Sequence, residues 1–395
     1  MQILRKEEIF TDSLRLRGQR VAEAAAKSAD DVDRVARFPA EAYAVARAEK
    51  LLGILVPVDL GGEGASVTDV VDLCYTLGRA CSSTSMIFAM HQIMVAILVR
   101  HAYESSWHRD LLRLIVEDQL LIASSTTEGR GGGDLRKSES AIERNGSNIS
   151  FEKSATVLSY GAHADAIMTT ARRAADAPPT DQVLLAMVKP DYQLDPLVDW
   201  QTMGMRGTCS CGFTLKTSGT EDQILPDSYA AIQMRTMMPV AHLTWSAAWS
   251  GIAADAVDRA RRFVRNASRR SGGQLPPGAA HLTRAIMSLR ALRDMVRAAL
   301  QKFEASATDK EKLESLDFQN ALNLLKVNAS ETAIATVISC MHACGLAGYR
   351  NDGEFSVSRH LRDVMSSPLM INNDRILASV AAASMLIEVP ESIVV

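Results

Sequence analysis

The spacing of apolar residues along this chain changes period twice, and that limits the folds open to it. Up to about residue 118, apolar positions recur at helical spacing within Ala-rich segments. From 119 to about 228 the helical period gives way to short β-rich runs separated by Gly, Pro and Asn turns. From 229 to residue 395 helical spacing returns. A helix buries residues three and four apart, whereas a strand buries alternate ones, so one core layer cannot serve both patterns. The expected class is α+β and multidomain, with a helical unit (1–118), a β unit (119–228) and a second helical unit (229–395).

Local signals fill in this outline. Helices are expected over 13–38 and 39–52, followed by a Pro- and Gly-rich loop over 56–64. Ser66 with Asp69 three residues on reads as a capping box that opens the next helix. Ser82-Ser83-Thr84 opens an apolar helix that carries His91, and another helix is expected over 105–117. Strands are expected over 120–127, 138–143, 148–153, 166–172, 183–189 and 212–216, with Asn145-Gly146 as a hairpin turn. The second helical unit reads as 241–266, 281–305, 313–347, 356–364 and 372–387.

Composition excludes several classes of partner. Net charge is -3, with 47% hydrophobic and 23% charged residues. That offers no electrostatic footprint for nucleic acid or an anionic membrane. The apolar run over 86–99 is interrupted by His91 and Gln92, so no membrane span is expected. Six cysteines are too few for a disulfide scaffold, and Cys209-Ser210-Cys211 has no partner at zinc spacing, so no metal is expected. The N-terminus has no apolar signal core, and the expectation is a cytoplasmic protein.

Six short segments then share an order. They are Val56-Pro57-Val58-Asp59-Leu60-Gly61-Gly62-Glu63-Gly64, Thr127-Glu128-Gly129-Arg130-Gly131-Gly132-Gly133-Asp134, Ser159-Tyr160-Gly161-Ala162-His163-Ala164-Asp165, Met203-Gly204-Met205-Arg206-Gly207-Thr208, His342-Ala343-Cys344-Gly345-Leu346-Ala347-Gly348-Tyr349 and Arg362-Asp363. Together they resemble the acyl-CoA dehydrogenase flavoproteins from about Phe38 to Leu386. The resemblance implies an N-terminal helical domain, a middle β-barrel domain and a C-terminal four-helix bundle, assembled as a homodimer or homotetramer. It implies FAD, with FMN as the alternative, between the β domain and the bundle. Backbone at Ser125, Thr126 and Thr127 would meet the polar edge of the flavin, where glycine and exposed amides allow close approach. Ser159 would lie near flavin N5, and Val157 would take a position often held by a stacking tryptophan. Arg270, or Arg269 beside it, with His342 and Gly345, would meet the pyrophosphate, the latter two from a neighbouring subunit.

The reaction is less plainly written than the scaffold. Dehydrogenation of an acyl thioester needs a base for the α-proton, held in a dry pocket. The family's glutamate, eight residues after the Arg-Asp pair, is Ile371 here, and the alternative position on the first long C-terminal helix is Ala241. Neither is a base. His242, one residue from the second position, and Asp374, one turn beyond the first, are the candidate substitutes. With either, the expected reaction is α,β-dehydrogenation of an acyl-CoA or acyl-carrier-protein thioester, with an electron acceptor as partner. The rival is a monooxygenase on the same fold, resembling two-component hydroxylases that are fed by a flavin reductase, with His91 and Ser159 near the flavin. A third reading is a non-catalytic partner protein on the same fold.

Overall fold

The computed structural model describes residues 2–129, 137–387 and 391–392, with backbone alone for residues 2–12. The N-terminal part consists of α1 (Gln2–Val35), α2 (Ala40–Ala48), α3 (Val67–Ala80), α4 (Ser82–His101) and α5 (Ser106–Glu117). The capping box is present: Ser66 Oγ accepts from the Asp69 amide, and the Asp69 carboxylate accepts from the Ser66 amide. By length and composition α4 would span a membrane, contrary to the sequence reading, but it is buried along almost its whole length. It is the central helix of a protein core, which an apolar run of that length also serves.

The β region holds β1 (Ile122–Ser125), β2 (Glu143–Asn145), β3 (Asn148–Ala155), β4 (Ala166–Arg172), β5 (Gln182–Val188), β6 (Tyr192–Val198) and β7 (Gly212–Thr220). These form two sheets, ordered β1-β4-β5 and β2-β3-β7-β6. Ile149 and Phe151 of the second face Ala171, Val183, Leu185 and Met187 of the first across a shared apolar core. The hairpin forms at the expected place, with Asn145 paired to Asn148. Two expectations change. The strand over 138–143 reduces to a bridge at Ala141 before β2, and β6 was not expected. β6 carries Pro196 and a register irregularity beside it, and its side chains are half-buried or exposed, so it lacks the apolar alternation that marks a strand.

The C-terminal part holds α6 (Tyr229–Ile232), a π-helical turn (Gln233–Met237), α7 (Met238–Arg270), α8 (Ala279–Ser306), α9 (Lys310–Glu314), α10 (Leu316–Cys344), α11 (Leu346–Tyr349), α12 (Ser358–Val364) and α13 (Asn373–Ser384). α7, α8 and α10 pack on one another, with α13 against α10. α7 also lies against α3, and small residues set that crossing. A Cβ on Gly78 would fall 2.5 Å from the Ala248 carbonyl oxygen, and one on Gly251 would fall 2.3 Å from that of Tyr75. The two backbones touch there, so any larger residue would push the helices apart.

Candidate active site

The loop before α13 sits on a buried lysine. Lys326 of α10 is fully buried, and its Nζ donates to the Ile371 carbonyl oxygen at 2.8 Å and to Asn373 Oδ1 at 2.7 Å. Burial pulls its ammonium down to about 8. Ile371 has φ of 45°, a left-handed conformation that a β-branched residue adopts only when its surroundings enforce it. Its side chain packs with Val327, Ile376 and Val380. The family's base position is therefore apolar as well as uncharged. Asp374 lies beyond it in the first turn of α13, exposed, where Asn372 Oδ1 accepts from its amide. No dry pocket surrounds that carboxylate.

The second base position and its neighbour are buried on α7. Ala241 is 3% exposed and His242 1%. His242 Nδ1 lies 3.1 Å from the Leu322 carbonyl oxygen, which can only accept, so Nδ1 carries the proton. Burial drives the imidazole down to about 3, with Lys326 nearby adding to the effect. His242 is neutral, and its Nε2 has no partner among the described residues.

His91 is committed elsewhere. Nε2 donates to the Leu52 carbonyl oxygen at 2.8 Å, and Nδ1 accepts from the Ile122 amide at 3.0 Å. Burial lowers it to about 4. Both nitrogens are occupied, so the ring has nothing left to offer a ligand. It ties α4 to the loop after α2 and to the start of β1.

The β-domain wall carries the other named positions. Ser125 is buried at the end of β1, and its Oγ has no partner among the described residues. Its carbonyl accepts from Lys153 Nζ at 2.8 Å and from Thr169 Oγ1 at 3.1 Å. Lys153 is fully buried and lowered to about 8 by desolvation, with the Glu128 carboxylate 3.7 Å away. Thr126 and Thr127 are half-buried, while the glycine turn at 130–134 lies outside the described residues. Val157 is 47% exposed, which leaves an apolar face open to a planar ring.

Ser159 ends a chain of hydroxyls. Thr208 Oγ1 donates to the Met205 carbonyl oxygen at 2.8 Å, Ser210 Oγ lies 2.7 Å from Thr208 Oγ1, and Ser159 Oγ lies 2.8 Å from Ser210 Oγ. Each hydroxyl has one proton. Thr208 spends its own on Met205, so Ser210 donates to Thr208 and Ser159 donates to Ser210. In this arrangement the Ser159 oxygen accepts from a ligand rather than donating to it. The Met205 amide in turn donates to Asp363 Oδ1 at 2.7 Å, and Ser82 Oγ donates to Asp363 Oδ2 at 2.6 Å. A Cβ on Gly204 would lie 2.1 Å from the Arg362 carbonyl oxygen, so the β-domain turn presses directly on the Arg-Asp segment. Arg206 is a structural hub, with Nε on the Asp33 carbonyl oxygen at 2.6 Å.

His342 and Gly345 line an open cavity of about 570 Å³ with His281, Met341 and Tyr349. His342 meets His281 edge to face at 5.1 Å. Arg269 and Arg270 are exposed at the end of α7 and are not among the residues lining that cavity. Among the described residues, no group of three or more His, Cys, Asp or Glu side chains could hold a metal ion, and all six cysteines are free.

Lys153, Lys326, Ser210, Trp245 and Trp249 were not singled out in the sequence. Lys326 left one sign: a charge within the otherwise apolar run Leu324-Leu325-Lys326-Val327. The partnerless Ser125 hydroxyl, the hydroxyl chain and the open Val157 face fit a flavin held as the resemblance implies, with Ser125, Thr126, Thr127 and Ser159 at its polar edge.

Family models describe the same organisation. Residues 11–116 match the acyl-CoA dehydrogenase N-terminal domain, and residues 231–386 match the C-terminal domain. An amino sugar nitrososynthase from Streptomyces peucetius is 26% identical over 365 residues, covering 86% of this chain and 84% of that protein. Cyclohex-1-ene-1-carbonyl-CoA dehydrogenase from Syntrophus aciditrophicus is 22% identical over 366 residues, covering 91% and 86%. The crystal structure of dibenzothiophene monooxygenase TdsC from Paenibacillus sp. A11-2 superposes with a TM-score of 0.81 at 17% identity, covering 96% of this chain and 98% of that one. That protein has also been solved with FMN bound. With the two flanking domains matched and the site residues disposed as described, the chain belongs to the acyl-CoA dehydrogenase family of flavin-dependent enzymes.

Proposed function

We propose that this enzyme is a flavin-dependent monooxygenase that transfers an oxygen atom to a small polar substrate and receives its reducing equivalents from a separate flavin reductase. One observation carries the reading: among the described residues neither base position has a carboxylate in a dry pocket, and the buried amine beside Ile371, Lys326, is spent on the Ile371 carbonyl and Asn373 Oδ1. Ile371 and Ala241 bear no base. His242 is held neutral, down to about 3, so it does not readily accept a proton. Asp374 is exposed to water in the first turn of α13, outside any dry pocket. The nitrososynthase and monooxygenase relatives support the reading by likeness alone.

When bound, the flavin, FAD or FMN, supplies the redox chemistry and the reaction with oxygen. The chain's own part is to hold and shield. Ser159, as an acceptor, suits a ligand atom that bears a proton, and its hydroxyl chain fixes it in that role. Lys153 places a cation behind the Ser125 carbonyl, which favours negative charge at the adjoining edge. Assembly as a dimer or tetramer is supported by exposed Leu346 and Tyr349 beside the His342 cavity.

The test uses flavin-loaded protein. It is reduced and exposed to isotope-labelled oxygen with amine, sulfide and phenol substrates, and separately mixed without oxygen with a panel of acyl-CoA and acyl-carrier-protein thioesters. Labelled oxygen in a product supports the proposal. Bleaching by a thioester, with no label transferred in the other arm, overturns it in favour of dehydrogenation.

A further inference from the structure

α7 places four buried polar atoms on one face, and none of them has a partner among the described residues. They are His242 Nε2, Trp245 Nε1, Ser246 Oγ and Trp249 Nε1. Positions i, i+3, i+4 and i+7 share one side of a helix. The residues are between 0% and 8% exposed, so water outside the protein does not satisfy them. A buried polar atom without a partner is costly, and four in two turns is more than a packed core carries without a reason.

The four belong to one neighbourhood. The His242 and Trp245 rings are 6.2 Å apart, and His242 bonds to Leu322, one turn before Lys326 on α10. Lys326 Nζ lies 5.8 Å from the Trp249 ring and bonds to Ile371. The cluster therefore adjoins the loop that carries Ile371. Its chemistry is mixed. Both indoles are donors only, Ser246 is either, and His242 Nε2, with the proton on Nδ1, is an acceptor only.

We propose that His242, Trp245, Ser246 and Trp249 form a substrate subsite for a neutral molecule bearing a hydroxyl or amine N–H, which donates to His242 Nε2 while its oxygen or nitrogen accepts from an indole. A saturated acyl chain would leave all four atoms unsatisfied. The inference deepens the monooxygenase reading by naming the substrate class, and rests on that reading only for the word substrate; binding is tested without turnover.

The probes are phenol and its methyl ether anisole, which match in shape but differ in the donor. The full chain, as purified and with its flavin, is labelled with nitrogen-15 in tryptophan and titrated with each. Phenol should shift the indole N–H resonances of Trp245 and Trp249 saturably and leave those of Trp107 and Trp200 in place. Trp200 already donates to the Met205 carbonyl oxygen. Phenol should bind about tenfold more tightly than anisole, the worth of one hydrogen bond. His242→Leu should bring the two ligands to near parity. Trp245→Phe, which keeps a ring and removes the N–H, should weaken both by about tenfold and guards against a folding defect in the first variant. Equal affinity for phenol and anisole, or shifts at Trp107 or Trp200 instead, overturns the proposal. Shifts at Trp245 and Trp249 without labelled product in the oxygen experiment would leave the subsite standing and remove only the monooxygenase reading.

Discussion

Lys326 holds Ile371 by its carbonyl oxygen, 2.8 Å from a buried ammonium, in a backbone conformation that isoleucine ordinarily avoids. The left-handed region costs an L-residue roughly 1–2 kcal/mol. Ile371→Gly removes that strain and also removes a half-buried side chain, so the two effects offset. Stability should stay within about 1 kcal/mol of wild type in urea unfolding, whereas Ile376→Ala, in the adjoining apolar cluster, should cost about 2–4 kcal/mol. A large loss for Ile371→Gly would show that packing, not the lysine, enforces the conformation.

Lys326 also sets a pH dependence. Its ordinary value is 10.5, and burial lowers it to about 8 in the folded protein. Between those values the unfolded chain binds the proton and the folded one does not, so stability rises with pH across that window. The urea midpoint should climb from about pH 8 towards 10.5. Lys326→Met should climb less steeply, retaining the similar contribution of Lys153. Equal slopes in the two proteins would contradict the assignment.

His91→Leu should lower stability by about 2–4 kcal/mol, because the Leu52 carbonyl and Ile122 amide lose their buried partner. Turnover per folded molecule should not change. A fall in turnover with unaltered stability would mean that the ring reaches a ligand after all.

Ser159→Ala should slow oxygen transfer by about tenfold, the worth of one accepted hydrogen bond. Flavin affinity should shift by no more than about threefold. Ser210→Ala, which only releases Ser159 from its fixed orientation, should have a smaller effect. Equilibrium flavin titration alongside rapid-mixing rates separates the two.

The order of helices and strands was legible because it is written in local periods, and the capping box at Ser66 and the turn at Asn145-Gly146 because each is decided by a few adjacent residues. β6 was hidden because edge strands that bury little carry no alternation, and Pro196 argues against one. The π-helical turn over Gln233–Met237 has no composition of its own. The site was legible as positions but not as chemistry. His91 and His242 look alike in sequence, yet one has both nitrogens on backbone and the other keeps a bare Nε2, a difference made entirely by Leu52, Ile122 and Leu322, all distant in the chain. Lys326 was passed over because its partners, Ile371 and Asn373, are more than forty residues away.

Asp363 joins three regions that the sequence separates. One oxygen takes the Met205 amide of the β region, the other takes the Ser82 hydroxyl at the start of α4, and Arg362 beside it pairs with Asp33 of α1. A boundary drawn by periodicity is therefore not a line along which the molecule can come apart. The C-terminal arm cannot lift without freeing the central helix and the β-domain turn in the same event. Hydrogen exchange at Met205 and at the start of α4 should accordingly report one shared opening, as though the three parts were a single mechanical body.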